Sequence, residues 1–185
     1  MGTLNKVTVK FWEEISLYVS KRNILTGFGI IILFNLVLLP GFPALFSVKN
    51  SYALDLTFGY SAETAYSMLN NLGSKGRTVY LISEIIIDLP YAIFYSFLYS
   101  VVIVAVYGYS KTGFVRYFIW LPVLIGLSDI LENLSIVLMI IFYEYKITFL
   151  AAAGSLFTVG KWSFAVLTFL VVITGLIIKL GKKSG

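Results

Sequence analysis

Residues 117–143 read YFIWLPVLIGLSDILENLSIVLMIIFY, an apolar run that is long enough to cross a bilayer as a helix. Asp129, Glu132 and Asn133 stand near its centre at positions i, i+3 and i+4, so a helix presents all three on one face. Carboxyl groups within hydrocarbon are costly and usually face a bundle interior or a water-filled cavity. The run therefore predicts a membrane span that carries a buried polar site.

The composition of the whole chain indicates an integral membrane protein. Of 185 residues, 59% are hydrophobic and 12% are charged, and the mean hydropathy is +0.92, whereas soluble domains carry about 25% charged residues. The length leaves room for about four spans and little else. We predict a single all-α membrane domain over residues 1–185: a four-helix transmembrane bundle with an N-terminal interfacial amphipathic helix and a short outer-loop helix.

The predicted spans cover residues 24–46, 78–107, 117–143 and 147–180, and residues 47–77 form an outer loop. In this loop, the apolar alternation from Tyr52 to Phe58 predicts an extended segment. Ser61 as an N-cap and Gly73 as a stop signal predict a short helix. That helix is either a lid over a site or a packed connector, and connectors are commoner.

The N-terminal segment is predicted to form a second amphipathic element. Its charged residues and its lack of an apolar core and cleavage site argue against a cleavable signal peptide. Trp12 and Ile15 lie on the apolar face of a predicted helix from Val9 to Ser20. Two placements stay equally open, one on the membrane surface and one capping the bundle from outside the lipid.

The basic residues set the expected orientation. The net charge is +5, but these residues flank the apolar runs, which favours topology signals over nucleic-acid binding. One side of the membrane receives Lys6, Lys10, Lys21, Arg22, Lys111, Arg116, Lys179, Lys182 and Lys183; the other receives Lys49, Lys75, Arg77 and Lys146. We therefore expect both termini in the cytoplasm of a bacterial cell, with the protein in its inner (plasma) membrane.

Several classes of chemistry are excluded by residue type. The chain has no Cys and no His, which excludes a thiol relay, a His-ligated haem and a His/Cys zinc site. No nucleotide-binding, nucleophile-elbow or calcium-loop motif occurs. We therefore predict no metal and no cofactor, and any acid–base chemistry must use carboxyl groups, Lys, Tyr or amides.

The second span carries a polar stripe. Glu84, Asp88, Tyr91 and Tyr95 are separated by four, three and four residues, which places them on one helical face. Pro90 has no N–H, so the carbonyl of Ile86 is predicted to lose its helical partner and to become available to a neighbouring helix or a water. The two halves of the chain show no matching motif, which argues against an inverted-repeat transporter.

Polar residues of all four spans are expected to meet. At about 1.5 Å per helical residue, Asn35, Asp88, Asp129, Glu132 and Lys161 lie roughly 16–22 Å from the outer ends of their spans, and Glu84 roughly 10 Å. Such agreement predicts one inward-facing cluster. Four acids then face Lys161, so some must be protonated, share protons or bind a cation.

The order of these features resembles a family of small bacterial four-helix integral membrane proteins. The resemblance rests on Tyr60-Ser61-Ala62-Glu63, Ala65-Tyr66, Gly76-Arg77, Asp88-Leu89-Pro90-Tyr91, Asp129-Ile130-Leu131-Glu132-Asn133 and Lys161-Trp162, and it covers roughly residues 57–165. It implies the four-helix fold and no particular activity. The layout is also similar to sterol-isomerase-like membrane proteins, whose membrane cavities use acidic residues on lipophilic ligands.

The leading functional hypothesis is a cavity that binds a small amphiphilic or lipid-like molecule and, in its stronger form, transforms it. Asp129 and Glu132 are the candidate acid/base pair, and Asp88 is a second catalytic carboxylate. The candidate ligand-binding residues are Asn133, Lys161, Glu84, Asn35, Tyr91 and Trp162. Tyr91 and Trp162 are residue types that more often serve packing.

Two other functions stay open from the sequence. A proton- or cation-coupled carrier or channel would use the same buried acids and would work as a homo-oligomer. A structural or assembly subunit would use them to fix helix register. Membrane lipid is the expected partner in every case.

Overall fold

The computed structural model describes residues 3–47, 54–108 and 113–181, and these are almost entirely helical. Its α-helices are α1 (Thr3–Ser16), α2 (Lys21–Leu33), α3 (Leu39–Leu45), α4 (Ala62–Ser83), α5 (Leu89–Tyr107), α6 (Trp120–Ile141) and α7 (Thr148–Gly181). Three short 3₁₀ segments cover Leu54–Leu56, Phe114–Ile119 and Tyr143–Tyr145. The topology signals at Lys49, Lys111, Lys182 and Lys183, and the start of the expected extended segment at Tyr52, lie outside the described residues.

Four helical segments in the described ranges are long and apolar enough to cross a membrane. They are Lys21–Leu45, Ala62–Tyr107, Phe114–Ile141 and Thr148–Gly181. The prediction of four apolar spans in an all-helical chain is therefore confirmed, and the chain is a multi-pass membrane protein by the length and composition of its helices. No strand occurs among the described residues.

Two of the spans contain a π-helical turn, which the sequence did not reveal. The turns cover Phe34–Leu38 in the first span and Glu84–Asp88 in the second. Each is followed by Leu-Pro, and the N–H of that leucine donates to the carbonyl five residues earlier. The carbonyl of Ile86, predicted to lose its partner to Pro90, lies within the second of these wide turns. Such turns are frequent at functional sites.

Helix α6 is the centre of the bundle. Half of its most apolar stretch is buried within the protein, whereas only 6% of the corresponding stretch of the first span is buried. Helix α6 contacts α7 more extensively than any other pair of elements does, and α5 is its next partner. The outward faces of the first and fourth spans remain apolar and exposed, as is expected of surfaces that face lipid.

Helix α1 packs on one end of this bundle. Trp12 and Ile15 are buried against Val101, Val104 and Ile119, and the indole nitrogen of Trp120 donates to Thr8 at 3.0 Å. The helix begins earlier than the predicted range and ends at Ser16. These contacts join α1 to α5 and to the 3₁₀ segment Phe114–Ile119.

The outer loop differs from the prediction in two respects. The described part of the expected extended segment forms the 3₁₀ turn Leu54–Leu56, because Leu54 is buried at 0% exposure and its N–H donates to the Tyr80 hydroxyl at 3.1 Å. Helix α4 also runs past the predicted loop boundary at residue 77, although Gly73 interrupts it with a φ of +66°. Ser61 accepts a hydrogen bond from the N–H of Thr64 at the start of α4.

The first half of α4 is packed rather than free. Tyr66 and Leu69 are buried against Ile136 and Met139 of α6, and the Tyr66 hydroxyl donates to the carbonyl of Ile147 at 3.0 Å. These contacts favour a connector over a lid.

Candidate functional site

Helix α6 supplies three polar residues to the interior of the bundle. Asp129, Glu132 and Asn133 are 3%, 0% and 1% exposed. Their spacing along the helix puts them on the face that meets α5 and α7, as the sequence predicted. Their partners on those helices decide what each one does.

Lys161 of α7 joins two of these acids. Its ammonium nitrogen lies 2.9 Å from Oδ1 of Asp129 and 2.6 Å from Oε2 of Glu132. Thr158, one turn earlier on α7, donates its hydroxyl proton to Oε1 of Glu132. Glu132 is thus held on both oxygens by α7, deep in the α6–α7 interface.

The other side of the cluster is formed by the second span. The Tyr95 hydroxyl donates to Oδ2 of Asp129 at 2.6 Å, and Nδ2 of Asn133 donates to Oδ2 of Asp88 at 2.6 Å. Asp88 is the last residue of the π-helical turn and is 6% exposed. Each acid of this set therefore has a named partner on a different span.

Three tyrosines continue the cluster along α5. Tyr91 and Tyr95 contact edge to face with ring centroids 5.1 Å apart, and Tyr95 and Tyr99 follow at 5.6 Å. Asn35, in the π-helical turn of the first span, donates from Nδ2 to the Tyr91 hydroxyl. Phe34 stacks on the Tyr91 ring at 4.8 Å. The π-helical turn of the first span therefore contacts the start of α5, just beyond the π-helical turn of the second span, through Asn35 and Tyr91.

A cavity of about 250 Å³ lies beside this cluster and is lined by residues of all four spans. Its polar wall consists of Asn35, Asp88, Tyr91, Tyr95, Tyr99, Asp129, Lys161 and Trp162, and its apolar wall consists of Ile31, Leu39, Leu56, Ile125 and Ala165. Leu56 belongs to the 3₁₀ turn of the outer loop. The cavity therefore lies below that loop and combines charged, aromatic and aliphatic surface.

The predicted site residues divide into two groups. Six of the nine line the cavity: Asp129, Asp88, Lys161, Asn35, Tyr91 and Trp162. The other three, Glu132, Asn133 and Glu84, are buried at 3% exposure or less and do not line it. Glu132 and Asn133 act on the cavity wall through Lys161 and Asp88, whereas Glu84 lies at the first position of the π-helical turn.

Some contributing residues were not selected from the sequence. Tyr95 and Tyr99 line the cavity, and Tyr95 already stood in the same stripe as Asp88 and Tyr91. Thr158 precedes Lys161 by three residues and therefore shares its helical face. Leu56 and Ala165 carry no signal that would have separated them from other apolar residues.

The arrangement favours proton exchange and the binding of polar groups. One continuous network of hydrogen bonds and ion pairs connects Tyr95, Asp129, Lys161, Glu132 and Thr158. Within residues 3–47, 54–108 and 113–181, no group of three or more acidic side chains is placed to hold a metal ion.

Comparison with known proteins gave no match. No protein-family model matches the chain, and searches of curated proteins and of solved structures also found none.

Proposed function

We propose that this membrane protein binds a small amphiphilic or lipid-like molecule in the cavity beside Asp129 and Lys161. The observation that carries the proposal is the mixed wall of the cavity, in which two carboxylates and an ammonium group stand next to aromatic and aliphatic side chains. Ligand pockets are typically apolar with a few converging polar groups. A purely structural ion pair would not require an adjoining cavity.

The stronger form of the proposal is acid–base chemistry on that ligand. A general acid or base must come within hydrogen-bond reach of its substrate, and Asp129 and Asp88 line the cavity. Glu132 is separated from the cavity by Lys161 and is proposed to set the charge of that lysine. Lys161 and the Tyr95 hydroxyl, which both contact Asp129, would hold or return the proton.

Native mass spectrometry of mildly solubilised protein tests the binding proposal. We expect the wild type to retain a discrete small molecule and Asp129→Asn to lose it, because the amide removes the charge but keeps the size of the side chain. Glu63→Gln, on the exposed start of α4, is the matched control and should retain the molecule. Equal retention by Asp129→Asn, or none by a folded wild type, would contradict the proposal.

A proton- or cation-coupled carrier is the second candidate function. It is favoured by the continuous network of hydrogen bonds and ion pairs that runs from Tyr95 through Asp129, Lys161 and Glu132 to Thr158, since proton relays within membranes use such buried acids. The test is proton or sodium flux in proteoliposomes, compared between the wild type and Glu132→Gln. A single chain of four spans would then work as a homo-oligomer, which crosslinking in the membrane would detect.

The proposed location is a bacterial plasma membrane with both termini in the cytoplasm, on the basis of the positive-inside distribution. Because the chain has no Cys, single cysteines give a clean test. We expect a membrane-impermeant maleimide to label Glu144→Cys in intact spheroplasts, and Glu13→Cys only after permeabilisation; both positions are exposed. The reverse pattern would invert the orientation.

A further inference from the structure

A second, apolar groove adjoins the polar cavity. It has a volume of about 410 Å³ and lies between the first span and α7, over α5. Its lining comprises Phe28, Tyr99, Val102, Ile125, Ala165, Thr168, Phe169, Val172, Ile173 and Leu176, and none of these residues is charged. Tyr99, Ile125 and Ala165 line both spaces, so the groove and the cavity share a wall.

The two spaces together follow the length of α7. From Lys161 to Leu176 the helix rises about 22 Å at about 1.5 Å per residue, more than one leaflet of about 15 Å, half of a hydrocarbon core of about 30 Å. The charged end of this path is at Lys161, and the apolar end is at Leu176. The path therefore fits one extended hydrocarbon chain with a polar head at one end only.

The charge of the cavity wall specifies the kind of head group. Asp88 and Asp129 contribute two carboxylates to the wall, whereas Lys161 is the one cation among the described residues that line it. Lys161 is shared with a third carboxylate, that of Glu132, at 2.6 Å. The acidic side chains thus outnumber the cation, and a positively charged ligand would restore the balance.

The aromatic residues of the cavity wall also favour a positively charged head group. Tyr91, Tyr95, Tyr99 and Trp162 all contribute to the wall, and aromatic faces attract ammonium and quaternary ammonium groups. Carboxylates and aromatic rings together are the surroundings that such cations prefer. An anionic head group would meet two carboxylates and only one ammonium group that already has partners.

We propose that the ligand is a single-chain amphiphile with an ammonium head group. The head lies against Asp88 and the Tyr91–Tyr95 edge of the wall, and the hydrocarbon chain extends past Ala165 into the groove towards Leu176. This inference rests on the proposed function and names the ligand class of the same site. The ammonium comes from a simple alkylamine or from a choline-type lipid head group, which share this chemistry.

The fluorescence of Trp162 provides the test, because this residue lines the cavity. Trp12 and Trp120 belong to the cluster around α1 that also contacts Val172 of the groove, so their contribution is separated with a Trp162 variant. Probes with one tail length, brominated along the tail, are titrated into the protein in nanodiscs. The heads are trimethylammonium, phosphocholine and sulfate, and tetramethylammonium is the competitor without a tail. The variants are Asp88→Asn, Ile173→Phe and the control Glu63→Gln, with Trp162→Phe to assign the signal.

We expect saturable quenching of Trp162 by the trimethylammonium probe and none by the sulfate probe. Asp88→Asn should weaken binding by about tenfold or more, because it removes one partner of a buried charge contact yet still accepts a hydrogen bond from Asn133. Ile173→Phe, at a residue that lines only the apolar groove, should weaken binding of the tailed probe and leave competition by tetramethylammonium unchanged. Glu63→Gln should match the wild type. Phosphocholine binding as tight as trimethylammonium binding would identify a lipid head group as the source of the cation.

The failures of the two proposals are distinguishable. Saturable binding of the sulfate probe alone, or binding of the ammonium probe that Asp88→Asn does not weaken, overturns the ammonium inference and leaves an amphiphile site in place. Equal effects of Ile173→Phe on the tailed probe and on tetramethylammonium overturn the tail placement. Saturable binding of no probe, in a protein shown to be folded by circular dichroism, counts against both proposals.

Discussion

The α6–α7 interface buries its polar groups, whereas the interface around the first span leaves polar groups next to a cavity. Between α6 and α7, Glu132 is fully buried and both of its oxygens contact α7 side chains. Around the first span, only 6% of the most apolar stretch is buried, and Asn35 faces a cavity. A closed polar interface fixes the position of two helices, whereas an open one leaves polar groups available to a ligand.

The largest expected effect on stability is that of Lys161→Met, which removes the cation from the closed α6–α7 interface. The substitution keeps most of the apolar stem but leaves Asp129 and Glu132 facing each other without their cation. Removing one partner of a buried ion pair typically lowers the free energy of unfolding by about 3–5 kcal/mol. Equilibrium unfolding in mixed micelles measures it.

Lys179→Met is the matched control for that variant. Lys179 is exposed near the end of the same helix and donates to the carbonyl of Ala105 at 3.1 Å, so its loss should change the stability by about 0.5 kcal/mol or less. A similar loss in both variants would mean that the position of Lys161 between two acids has no special role.

Gly126→Ala should have the next largest effect, since it tests how tightly α6 meets α5. A Cβ at Gly126 would lie 2.9 Å from Cβ of Ser96 and 3.3 Å from the backbone carbonyl oxygen of Ala92. The backbone cannot move aside easily, and overpacking of this kind costs about 1–3 kcal/mol. A variant as stable as the wild type in the same unfolding assay would show that the α5–α6 contact is looser than the structure indicates.

Tyr95→Phe should have a smaller effect on stability and a clear effect on the site. The variant removes the hydroxyl that donates to Asp129 but keeps the ring that contacts Tyr91 and Tyr99. Loss of a hydrogen bond to a charged group costs about 1.5–3 kcal/mol, and the lower end applies because Asp129 keeps Lys161. Tyr99→Phe, measured alongside as a control, should change the free energy of unfolding by about 0.5 kcal/mol or less.

The sequence predicted the closed α6–α7 interface better than the open interface around the first span. The spacing of Asp129, Glu132 and Asn133 and the similar depth of Lys161 were sufficient to predict a shared cluster, because buried charges must find partners. The same argument placed Asp88 and Asn35 near it. It could not separate Glu132 from Asp129, since both lie on one helical face and both contact Lys161, whereas only Asp129 lines the cavity.

The open interface depends on features that a single sequence does not display. The two π-helical turns recur before Leu39-Pro40 and Leu89-Pro90, but the sequence alone indicated a lost hydrogen bond at Pro90 rather than a wide turn. The apolar groove depends on the separation of two spans, and residues such as Ala165 are indistinguishable from other lipid-facing or core residues in a pattern. Gly73 showed where α4 is interrupted but not that the helix resumes beyond it.

Gly29→Ala should have the smallest effect and is the counterpart of Gly126→Ala. Both glycines lie in α-helical parts of apolar spans, but a Cβ at Gly29 would meet nothing within 4 Å. Alanine lowers the cost of helix formation by up to about 1 kcal/mol relative to glycine, so the variant should be as stable as the wild type or slightly more stable. Ligand retention should be unchanged, because Gly29 does not line either space. A loss of stability comparable to that of Gly126→Ala would mean that the first span packs closely against a partner, such as a second copy of the chain, and that its apolar face is an interface rather than a lipid-facing surface.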